Sequence, residues 1–209
     1  MSSTIDDREL VLIAQQLQAL SQIGLTYTKD IYDRERYESL MRIAERLLGA
    51  QFALSDDTLK TLHSAETGYC TPKTDVRAII LNEGKLLLVR ETEDGKWSLP
   101  GGWADVGDSP SVAIIREVSE ETGLEVKVSR LLGVWDRNQH GHPPYPWHVY
   151  KMIFLCEILG GELAISHESL DIQYFDPDNL PELSLTRIVP EEIVASLRTA
   201  RENGPTYCD

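Results

Sequence analysis

Apolar side chains in the first quarter of the chain recur every three or four residues, the spacing that places them on one face of a helix. Residues 6–25 carry one such stripe, which consists of Leu10, Ile13, Leu17, Leu20 and Ile23. Residues 33–51 carry a second stripe, which consists of Tyr37, Leu40, Ile43 and Leu47. A shorter third segment begins at Ser55, a favoured N-cap residue. The pattern predicts a small helical hairpin or three-helix unit.

The hydrophobic period changes at Thr74. From there, two short apolar runs in the stretch TDVRAIILNEGKLLLVR are separated by the turn signal NEG, and EDG marks the next turn. Strand-like runs follow around VKVSRLLGVWD, HVYKMIFLCEI and DIQYFD, with helices predicted at residues 109–122 and after PELSL. Strands mixed with a few helices predict an α+β fold. The change of period predicts a helical domain over residues 1–66 and a second domain over residues 67–209.

The predicted helix at residues 109–122 has sequence signals at both ends. Ser109 is a good N-cap, and Pro110 suits the first helical position, where an N–H would lack a helical partner in any case. Gly123 can adopt the left-handed conformation that ends many helices. Three apolar residues of this helix are expected to face the sheet: Val112, Ile115 and Val118.

Three glutamates, Glu117, Glu120 and Glu121, fall on the last turns of this helix, where residues three and four apart are neighbours. One interpretation is a solvated acidic face, since each exposed like-charge pair costs only about a few tenths of a kcal/mol. The other is a divalent-cation site, because Mg²⁺ prefers hard oxygen ligands and needs only a few carboxylates beside its waters and substrate phosphates. Arg116 lies beside them and is placed to orient one carboxylate.

Composition and charge narrow the classes of partner. The chain has 209 residues and a formal net charge of −14. A surface this acidic repels polyphosphates, so nucleic acid is not an expected partner, whereas a small anionic substrate can still bind through a metal cation. The three cysteines form neither a disulfide framework nor a CxxC zinc pattern. The polar N-terminus and the short apolar runs predict a cytoplasmic protein without a signal peptide or a membrane span.

The stretch GWADVGDSPSVAIIREVSEETGL resembles the Nudix box, G-x5-E-x7-R-E-U-x-E-E-x-G-U, in which U is an aliphatic residue. The matching positions are Gly102, Arg116, Glu117, Val118, Glu120, Glu121, Gly123 and Leu124. The one departure is Asp108, which stands where the motif has glutamate and is one methylene shorter. This resemblance favours the metal site over the solvated acidic face.

The resemblance implies an α/β/α sandwich with a mixed sheet, and hydrolysis of a nucleoside diphosphate linked to a group X. It implies Mg²⁺ as the cofactor, with Mn²⁺ as a substitute, bound chiefly by Glu117 and Glu121. Glu120 would be a further ligand and the backbone carbonyl of Gly101 an extra one. Arg116 would orient the carboxylates. The supporting residues of the box would be Gly102, Asp108 and Gly123.

Hydrolysis of a phosphoanhydride also calls for a general base. In several members of the family it is a glutamate in a loop downstream of the box, and the stretch SHESLDI offers Glu168 there. Glu157, inside an apolar strand run, is a competitor, and Glu120 is another candidate. A plain surface role for Glu168 is the alternative. We expect Glu168 to be the base.

The stretch DRNQHGHPPYPWHVYK surrounds two aromatic residues with histidines and prolines. A zinc site is one interpretation of His140, His142 and His148, although neither a helix nor a fourth ligand accompanies them. A rigid loop without a direct role is the second. The third is a substrate loop, in which Tyr145 and Trp147 stack on a base and the histidines contact phosphate.

Nearly the whole chain resembles bacterial Nudix hydrolases with an N-terminal helical domain, the group that contains CDP-choline pyrophosphatase. The resemblance is carried by the N-terminal helices and by PKTDVRAIIL, LPGGWADVGDSP and HPPYPWHVYK. It favours CDP-choline or ADP-ribose as the substrate, and Arg77 is a further candidate for binding it. It also implies that the N-terminal helices form a homodimer and part of the active-site wall. Packing of these helices onto their own Nudix domain is the alternative.

Two other functions stay open at this point. A non-catalytic Nudix module that senses a nucleotide is one, since some regulators join such a domain to a DNA-binding unit. The stretch DRERYESLMRIAERLL argues against it, because its arginines are balanced by acids and form no basic face for phosphates. An enzyme that processes RNA ends is the other, and the acidity of the chain argues against long polymers. The expected partner is a small nucleoside diphosphate derivative.

Overall fold

The chain is described here by a computed structural model, which covers residues 6–52, 68–166 and 169–209. These residues belong to two compact units: Met1–Pro72 with Pro144–His148, and Lys73–Pro143 with Val149–Asp209. The predicted third helical segment, which begins at Ser55, lies outside the described residues.

The first unit is built on two helices, α1 (Asp7–Tyr27) and α2 (Ile31–Phe52), which pack against each other. The Asp6 side chain caps α1 by accepting a hydrogen bond from the Glu9 backbone N–H (2.8 Å). The small apolar core between the helices consists of Val11, Ala14 and Leu48. The two predicted helices of the first unit are therefore present.

The face that α1 buries differs from the predicted stripe. Its buried residues are Val11, Ala14, Gln15, Gln18, Ser21 and Gln22. In contrast, Leu20 of the predicted stripe is 62% exposed, and Ile43 of α2 is 44% exposed. The helices approach each other through small residues, since a Cβ on Gly24 would lie 2.4 Å from a ring carbon of Tyr37. The larger apolar residues therefore flank this contact and stay partly exposed.

The second unit consists, within the described residues, of a sheet, two α-helices and a short 3₁₀ helix. In chain order the elements are β1 (Lys73–Asn82), β2 (Lys85–Glu91), β3 (Trp97–Ser98), α3 (Pro110–Thr122), β4 (Leu124–Asp136), the 3₁₀ helix Arg137–Gln139, β5 (Val149–Gly161), β6 (Ser169–Phe175), α4 (Pro190–Glu202) and β7 (Tyr207–Cys208). No helix of the described residues combines the length and the apolar character that crossing a membrane requires.

The sheet is mixed and has the order β3-β2-β1-β5-β4-β7, with β6 paired to β2. β1 runs parallel to β5, whereas the pairs β1–β2, β4–β5 and β2–β6 are antiparallel. One face packs on α3 in a cluster that includes Ala78, Ile80 and Ile114. The opposite face packs on α4 in a cluster that includes Ile79 and Ile193. A mixed sheet between helices confirms the predicted α+β sandwich.

Helix α3 begins and ends where the sequence predicts. The Ser109 Oγ accepts a hydrogen bond from the Val112 backbone N–H (3.3 Å), and Pro110 is the first helical residue. Gly123 ends the helix with a φ of 74°, a conformation that residues with a Cβ rarely adopt. These short-range signals fix the helix directly before the strand β4.

The prediction of which apolar residues of α3 face the sheet was wrong at two of three positions. Val112 is 51% exposed and Ile115 is 36% exposed. The residues that α3 buries are Ala113, Ile114, Val118, Glu121 and Thr122. The buried stripe continues from the apolar residues into the last turn of the helix. This rotation brings the carboxylate of Glu121 against the sheet.

Candidate active site

The second unit contains a cleft of about 520 Å³ at the last turns of α3. It is lined by Glu91, Thr92, Gly101, Gly102, Trp103, Asp105, Arg116, Glu117, Glu120, Glu121 and Arg187. The glycine-rich loop reaches this place because it lies along β1. The Val76 backbone N–H donates to Gly102 O (2.8 Å), and the Ala104 backbone N–H donates to Thr74 O (3.0 Å). The predicted loop and the predicted acidic turn therefore share one cleft.

Glu121 is the most deeply buried carboxylate of the cleft, with 7% of its surface exposed. Its Oε2 accepts a hydrogen bond from the Gly101 backbone N–H (2.8 Å). Burial raises the pKa of Glu121 to about 8, and the nearby Glu91 and Glu117 carboxylates add to this rise, while Arg77 and the Gly101 N–H oppose it. In the metal-free cleft, Arg77 and the Gly101 N–H therefore do not fully compensate a negative charge on Glu121.

The two glycines at the floor of the cleft allow the carboxylates to approach the backbone. Gly101 has a φ of 136°, and a Cβ there would lie 2.0 Å from Val76 O. A Cβ on Gly102 would lie 2.6 Å from Glu117 Oε2. Any larger residue would displace β1 at position 101 or the carboxylate of Glu117 at position 102, which is the physical reason for glycine at both positions.

Arg116 holds the outer carboxylates of the cleft in place. Its Nη1 donates to Glu117 Oε1 (2.8 Å) and to Glu120 Oε2 (3.0 Å), and its Nε donates to Asp108 Oδ2 (3.2 Å). Its Nη2 lies 3.2 Å from Asp105 Oδ2. Asp108 therefore reaches the arginine although it is one methylene shorter than the glutamate of the motif. These contacts suit an orienting arginine, and that role of Arg116 stays a prediction.

A buried ionic group lies beneath the cleft. The side chain of Arg77 donates to Asp75 Oδ1 from Nη2 (2.9 Å), and Lys151 Nζ donates to Asp75 Oδ2 (2.5 Å). The Nη1 of Arg77 donates to Leu99 O (3.0 Å), and the residue is only 1% exposed. Arg77 does not line the cleft, and direct contact with substrate stays a prediction. Its charge instead lies under the carboxylates, where it opposes the rise in the pKa of Glu121.

The sequence analysis did not single out five cleft residues: Glu91, Thr92, Trp103, Asp105 and Arg187. Glu91 ends β2, and its Oε1 accepts a hydrogen bond from Ser98 Oγ and lies 3.9 Å from Arg77 Nη1. Arg187 lies in the segment before α4, and 32% of its side chain is exposed. The position of Glu91 at the end of an apolar run was the only signal for it. No pattern in the sequence connects Arg187 to the box.

The histidines predicted to contact phosphate make other contacts. His140 Nε2 lies 3.0 Å from Asp209 Oδ2, and its ring packs edge-on against Trp135. His142 is 2% exposed and lies between Leu185 O and Glu192 Oε1. Neither residue lines the cleft, and phosphate contact by either stays a prediction. The paired geometry also gives no support to the zinc interpretation.

The other predicted loop residues belong to the first unit. Tyr145 and Trp147 form an edge-on aromatic pair with ring centroids 5.2 Å apart, and Tyr145 O accepts a hydrogen bond from Gln15 Nε2 (2.9 Å). Trp147 and His148 line a separate cavity of about 190 Å³ with residues of α1. Their role in binding a base stays a prediction.

The candidate general base Glu168 lies outside the described residues, so its position is untested. Its competitor Glu157 is exposed on β5. The Glu157 carboxylate accepts from Lys127 Nζ (2.7 Å) and from Ser129 Oγ (2.5 Å), and it does not line the cleft. Glu120 does line the cleft, with 59% of its side chain exposed. It remains the alternative base.

The donor set of the cleft fits a divalent cation that keeps part of its hydration. Glu117 and Glu121 approach the glycine loop from α3, and burial raises the pKa of Glu117 as well. Within the described ranges, no three His, Cys, Asp or Glu side chains close around a common point as a complete metal cage. Mg²⁺ does not need one, because water and substrate oxygens supply its remaining ligands.

We expect the metal-free protein to lose stability through Glu121 as the pH rises from 4.5 to about 8. Folding raises this pKa, so the folded state binds the proton more tightly than the unfolded chain does. The stabilisation is complete below the unfolded pKa and is lost as the pH passes through the folded one. Denaturant unfolding in the presence of a chelator, at both ends of this window, measures the loss.

Glu121→Gln is the matched control for this pH dependence. Its amide oxygen can still accept from the Gly101 N–H, but the side chain no longer titrates. The free energy of unfolding of the wild type, relative to that of the variant, should fall with rising pH. A constant difference across the window would show that Glu121 is not protonated in the metal-free fold.

Comparisons with known proteins agree with this geometry. The family model described as NUDIX domain matches residues 71–197, and the one described as UDP-X-like, N-terminal oligomerisation domain, matches residues 8–63. The chain is 40% identical to a putative ADP-ribose pyrophosphatase, YjhB, of Bacillus subtilis over 86% of each chain. It is 36% identical to an ADP-ribose pyrophosphatase of Methanocaldococcus jannaschii, over 56% of this chain and 69% of the relative.

Two solved structures extend the likeness to three dimensions. One is a UDP-X diphosphatase, 36% identical, with a TM-score of 0.64 over 97% of this chain and 99% of that one. The other is an ADP-ribose pyrophosphatase of Streptococcus suis, 40% identical, with a TM-score of 0.61 over 66% of this chain and all of the other. The chain therefore belongs to the Nudix hydrolase family, as a pyrophosphohydrolase that joins a Nudix domain to a UDP-X-like N-terminal oligomerisation domain.

Proposed function

We propose that this chain is a Mg²⁺-dependent pyrophosphohydrolase that cleaves ADP-ribose, or a closely similar nucleoside diphosphate sugar, between its two phosphates. The products would be a nucleoside monophosphate and a phosphorylated sugar. The observation that carries the proposal is the buried Glu121 carboxylate, which meets Glu117 over the Gly101–Gly102 floor of an open cleft. Mn²⁺ is expected to substitute for Mg²⁺, since both take oxygen ligands.

The residues of the cleft have distinct proposed roles. Glu117 and Glu121 would hold the cation, with Glu120 and the carbonyl of Gly101 as further ligands. Arg116 would keep Glu117 and Glu120 oriented through the hydrogen bonds from its Nη1. When bound, the metal would neutralise the diphosphate and acidify a water molecule. The chain needs this neutralisation, because its net charge of −14 otherwise repels such a substrate.

The choice of substrate is supported by the relatives' names rather than by the cleft itself. ADP-ribose is named for the Bacillus subtilis relative and for the Streptococcus suis structure. A UDP-linked substrate is the second candidate, because the structure of a UDP-X diphosphatase covers nearly the whole chain. CDP-choline, which the resemblance of the loop favours, is the third. All three share a nucleoside diphosphate linked to a second group.

We also propose that the first unit forms a homodimer. The name of the matching N-terminal domain refers to oligomerisation. Large apolar residues of the helices support this proposal, since Leu12 and Leu20 of α1 are 40% and 62% exposed, and Ile31 and Ile43 of α2 are 66% and 44% exposed. Large apolar residues that stay exposed on both helices favour a protein–protein interface.

The deciding experiment is a product analysis with ADP-ribose, a UDP-sugar and CDP-choline, each with Mg²⁺, with Mn²⁺ and with a chelator. We expect ADP-ribose to give AMP and ribose 5-phosphate with either metal and nothing with the chelator. If the UDP-sugar or CDP-choline is cleaved in preference, the proposed substrate is wrong, but the proposed reaction stands. Tight nucleotide binding without turnover of any of the three would favour a sensor and contradict the proposal.

A further inference from the structure

Two guanidinium groups line the cleft, and they differ in how far their charge is already neutralised. Arg116 contacts four carboxylates: Asp105, Asp108, Glu117 and Glu120. Its Nε and Nη1 donate hydrogen bonds to three of them, whereas Nη2 lies near Asp105 without a hydrogen bond. The charge of Arg116 is therefore largely compensated by carboxylates, and its contacts suit an orienting role.

Arg187 has much weaker carboxylate contacts. Its Nη2 donates to Glu93 Oε2 (3.0 Å), and its Nε lies 3.9 Å from Glu91 Oε2, beyond hydrogen-bond distance. Glu93 is 73% exposed, so this ion pair is screened by water and contributes little to stability. An incoming phosphate can therefore replace Glu93 at the guanidinium at small cost.

The backbone that carries Arg187 is held from three sides by buried side chains. The Nζ of Lys151 donates to Arg187 O (2.5 Å), the Nη2 of Arg137 donates to Thr186 O (3.4 Å), and the Nδ1 of His142 donates to Leu185 O (2.7 Å). These contacts fix the carbonyls of three consecutive residues.

The same segment is also tied to the sheet and to α4. The Ser184 backbone N–H donates to Trp97 O (2.8 Å), which joins the segment to β3. His142 Nε2 lies 3.0 Å from Oε1 of Glu192, in the first turn of α4. The Arg187 side chain takes no part in these contacts. Its replacement should therefore leave the segment in place.

We propose that Arg187 binds the diphosphate of the substrate in this cleft, and that His142 is a positioning residue that fixes the Arg187 backbone. The inference rests on the proposed cleavage of a nucleoside diphosphate derivative. A guanidinium matches two phosphate oxygens with parallel hydrogen bonds, whereas a lysine provides only a point charge. Arg187 thus places a positive group on the wall of a cleft whose other acidic or basic residues, apart from Arg116, are carboxylic acids.

The first test compares Arg187→Met, Arg187→Lys and Glu93→Gln with the wild type. The last variant breaks the same ion pair from the other side and is the matched control. For ADP-ribose we expect Arg187→Met to raise KM at least tenfold and to lower kcat/KM about a hundredfold, with Arg187→Lys between it and the wild type. Glu93→Gln should stay within threefold of the wild type, and the Mg²⁺ concentration for half-maximal activity should not change in any variant.

Binding of inorganic pyrophosphate with Mg²⁺, measured by calorimetry, separates this inference from the proposed function. Weaker binding by Arg187→Met, but not by Glu93→Gln, would support the inference even if no nucleotide is cleaved. If the wild type cleaves ADP-ribose and Arg187→Met matches it in both assays, the inference is wrong and the proposed function stands. If Arg187→Met and Glu93→Gln lose the same amount of pyrophosphate binding, Arg187 acts only through its ion pair with Glu93, and the inference is wrong.

A double-mutant cycle tests the positioning role of His142. His142→Leu removes the donor to Leu185 O, whereas the amide of His142→Asn can restore it. We expect the Leu variant to raise KM several-fold with little change in kcat, and the Asn variant to recover most of it. In the Arg187→Met background, His142→Leu should have almost no further effect on KM. Additive effects would contradict the positioning role. If His142→Leu does not fold, His142→Gln takes its place in the cycle, because its amide can keep the contact with Glu192 but not the one with Leu185 O.

Discussion

Glu121→Gln should lower kcat at least about a hundredfold, a loss of about 2.7 kcal/mol of transition-state stabilisation. The amide keeps the size of the side chain and can still accept from the Gly101 N–H, so the floor of the cleft is preserved. It removes the negative charge that would hold the cation. Steady-state kinetics with ADP-ribose over a range of Mg²⁺ concentrations should show the fall in kcat even at saturating metal.

Glu125→Gln is the control for this variant, because Glu125 is an exposed glutamate on β4 outside the cleft. It should match the wild type. The metal-free Glu121→Gln variant should also be at least as stable as the wild type above neutral pH, since it no longer buries a titrating carboxylate. Turnover near the wild-type value with an intact fold would remove Glu121 from the metal site. A variant that does not fold would instead show that its charge is structural.

The parts of the site that follow from neighbouring residues could be predicted from the sequence. The ends of α3 depend on Ser109, Pro110 and Gly123, which act on the backbone beside them. The grouping of Glu117 with Glu121 depends only on the helical repeat. The resemblance to the Nudix box needed no more than this local information. The comparisons then established the family, while the roles of the individual carboxylates stay proposals.

The parts that depend on distant contacts could not be predicted in this way. His142 meets Glu192, 50 residues later in the chain, only because α4 packs on the sheet beside its loop. Glu91 and Arg187 enter the cleft through the ends of different elements. The sequence around Glu91 and Arg187 contains no repeat or motif that indicates their contact with the cleft. The histidine-rich loop therefore suggested phosphate contact, whereas the structure places His142 against Leu185 O, in the segment that carries Arg187.

The errors in the apolar faces have a similar origin. The helical period identifies a stripe of large apolar residues, but it does not say which flank of that stripe meets a neighbour. In α3 the contact is rotated towards Glu121, and in α1 it is rotated towards the small Ala14. Small residues allow two helices to pack closely, and polar residues become buried where they find a hydrogen-bond or ionic partner. The pattern of apolar residues in the sequence reveals neither effect.

Asp75→Ala should destabilise the protein by about 3–5 kcal/mol, the range expected when one partner of a buried ionic group is removed. Asp75 is 5% exposed and lies between Arg77 (1%) and Lys151 (2%). Although burial raises its pKa, the charges of Arg77 and Lys151 lower it to about 2. Without the carboxylate, two buried cations would face each other. Denaturant unfolding at neutral pH measures the loss.

Glu157→Ala is the matched control, because Glu157 lies on β5, the strand that also carries Lys151, and it too forms an ion pair. It breaks the pair with Lys127, in which both side chains are 55% exposed. An exposed pair of this kind contributes less than about 1 kcal/mol. A loss in Asp75→Ala no larger than that of the control would show that the buried group is not energetically coupled.

The pH dependence of the loss separates lost charge from lost packing. Burial already lowers the pKa of Lys151, and Asp75 opposes that shift. In Asp75→Ala the lysine should release its proton more easily in the folded state. The unfolded chain would then bind more protons than the folded one, so the stability of the variant should rise with pH relative to the wild type. A deficit that shrinks between neutral and alkaline pH would therefore identify the two buried cations as its cause. A deficit that stays constant would assign it to the cavity and the lost hydrogen bonds.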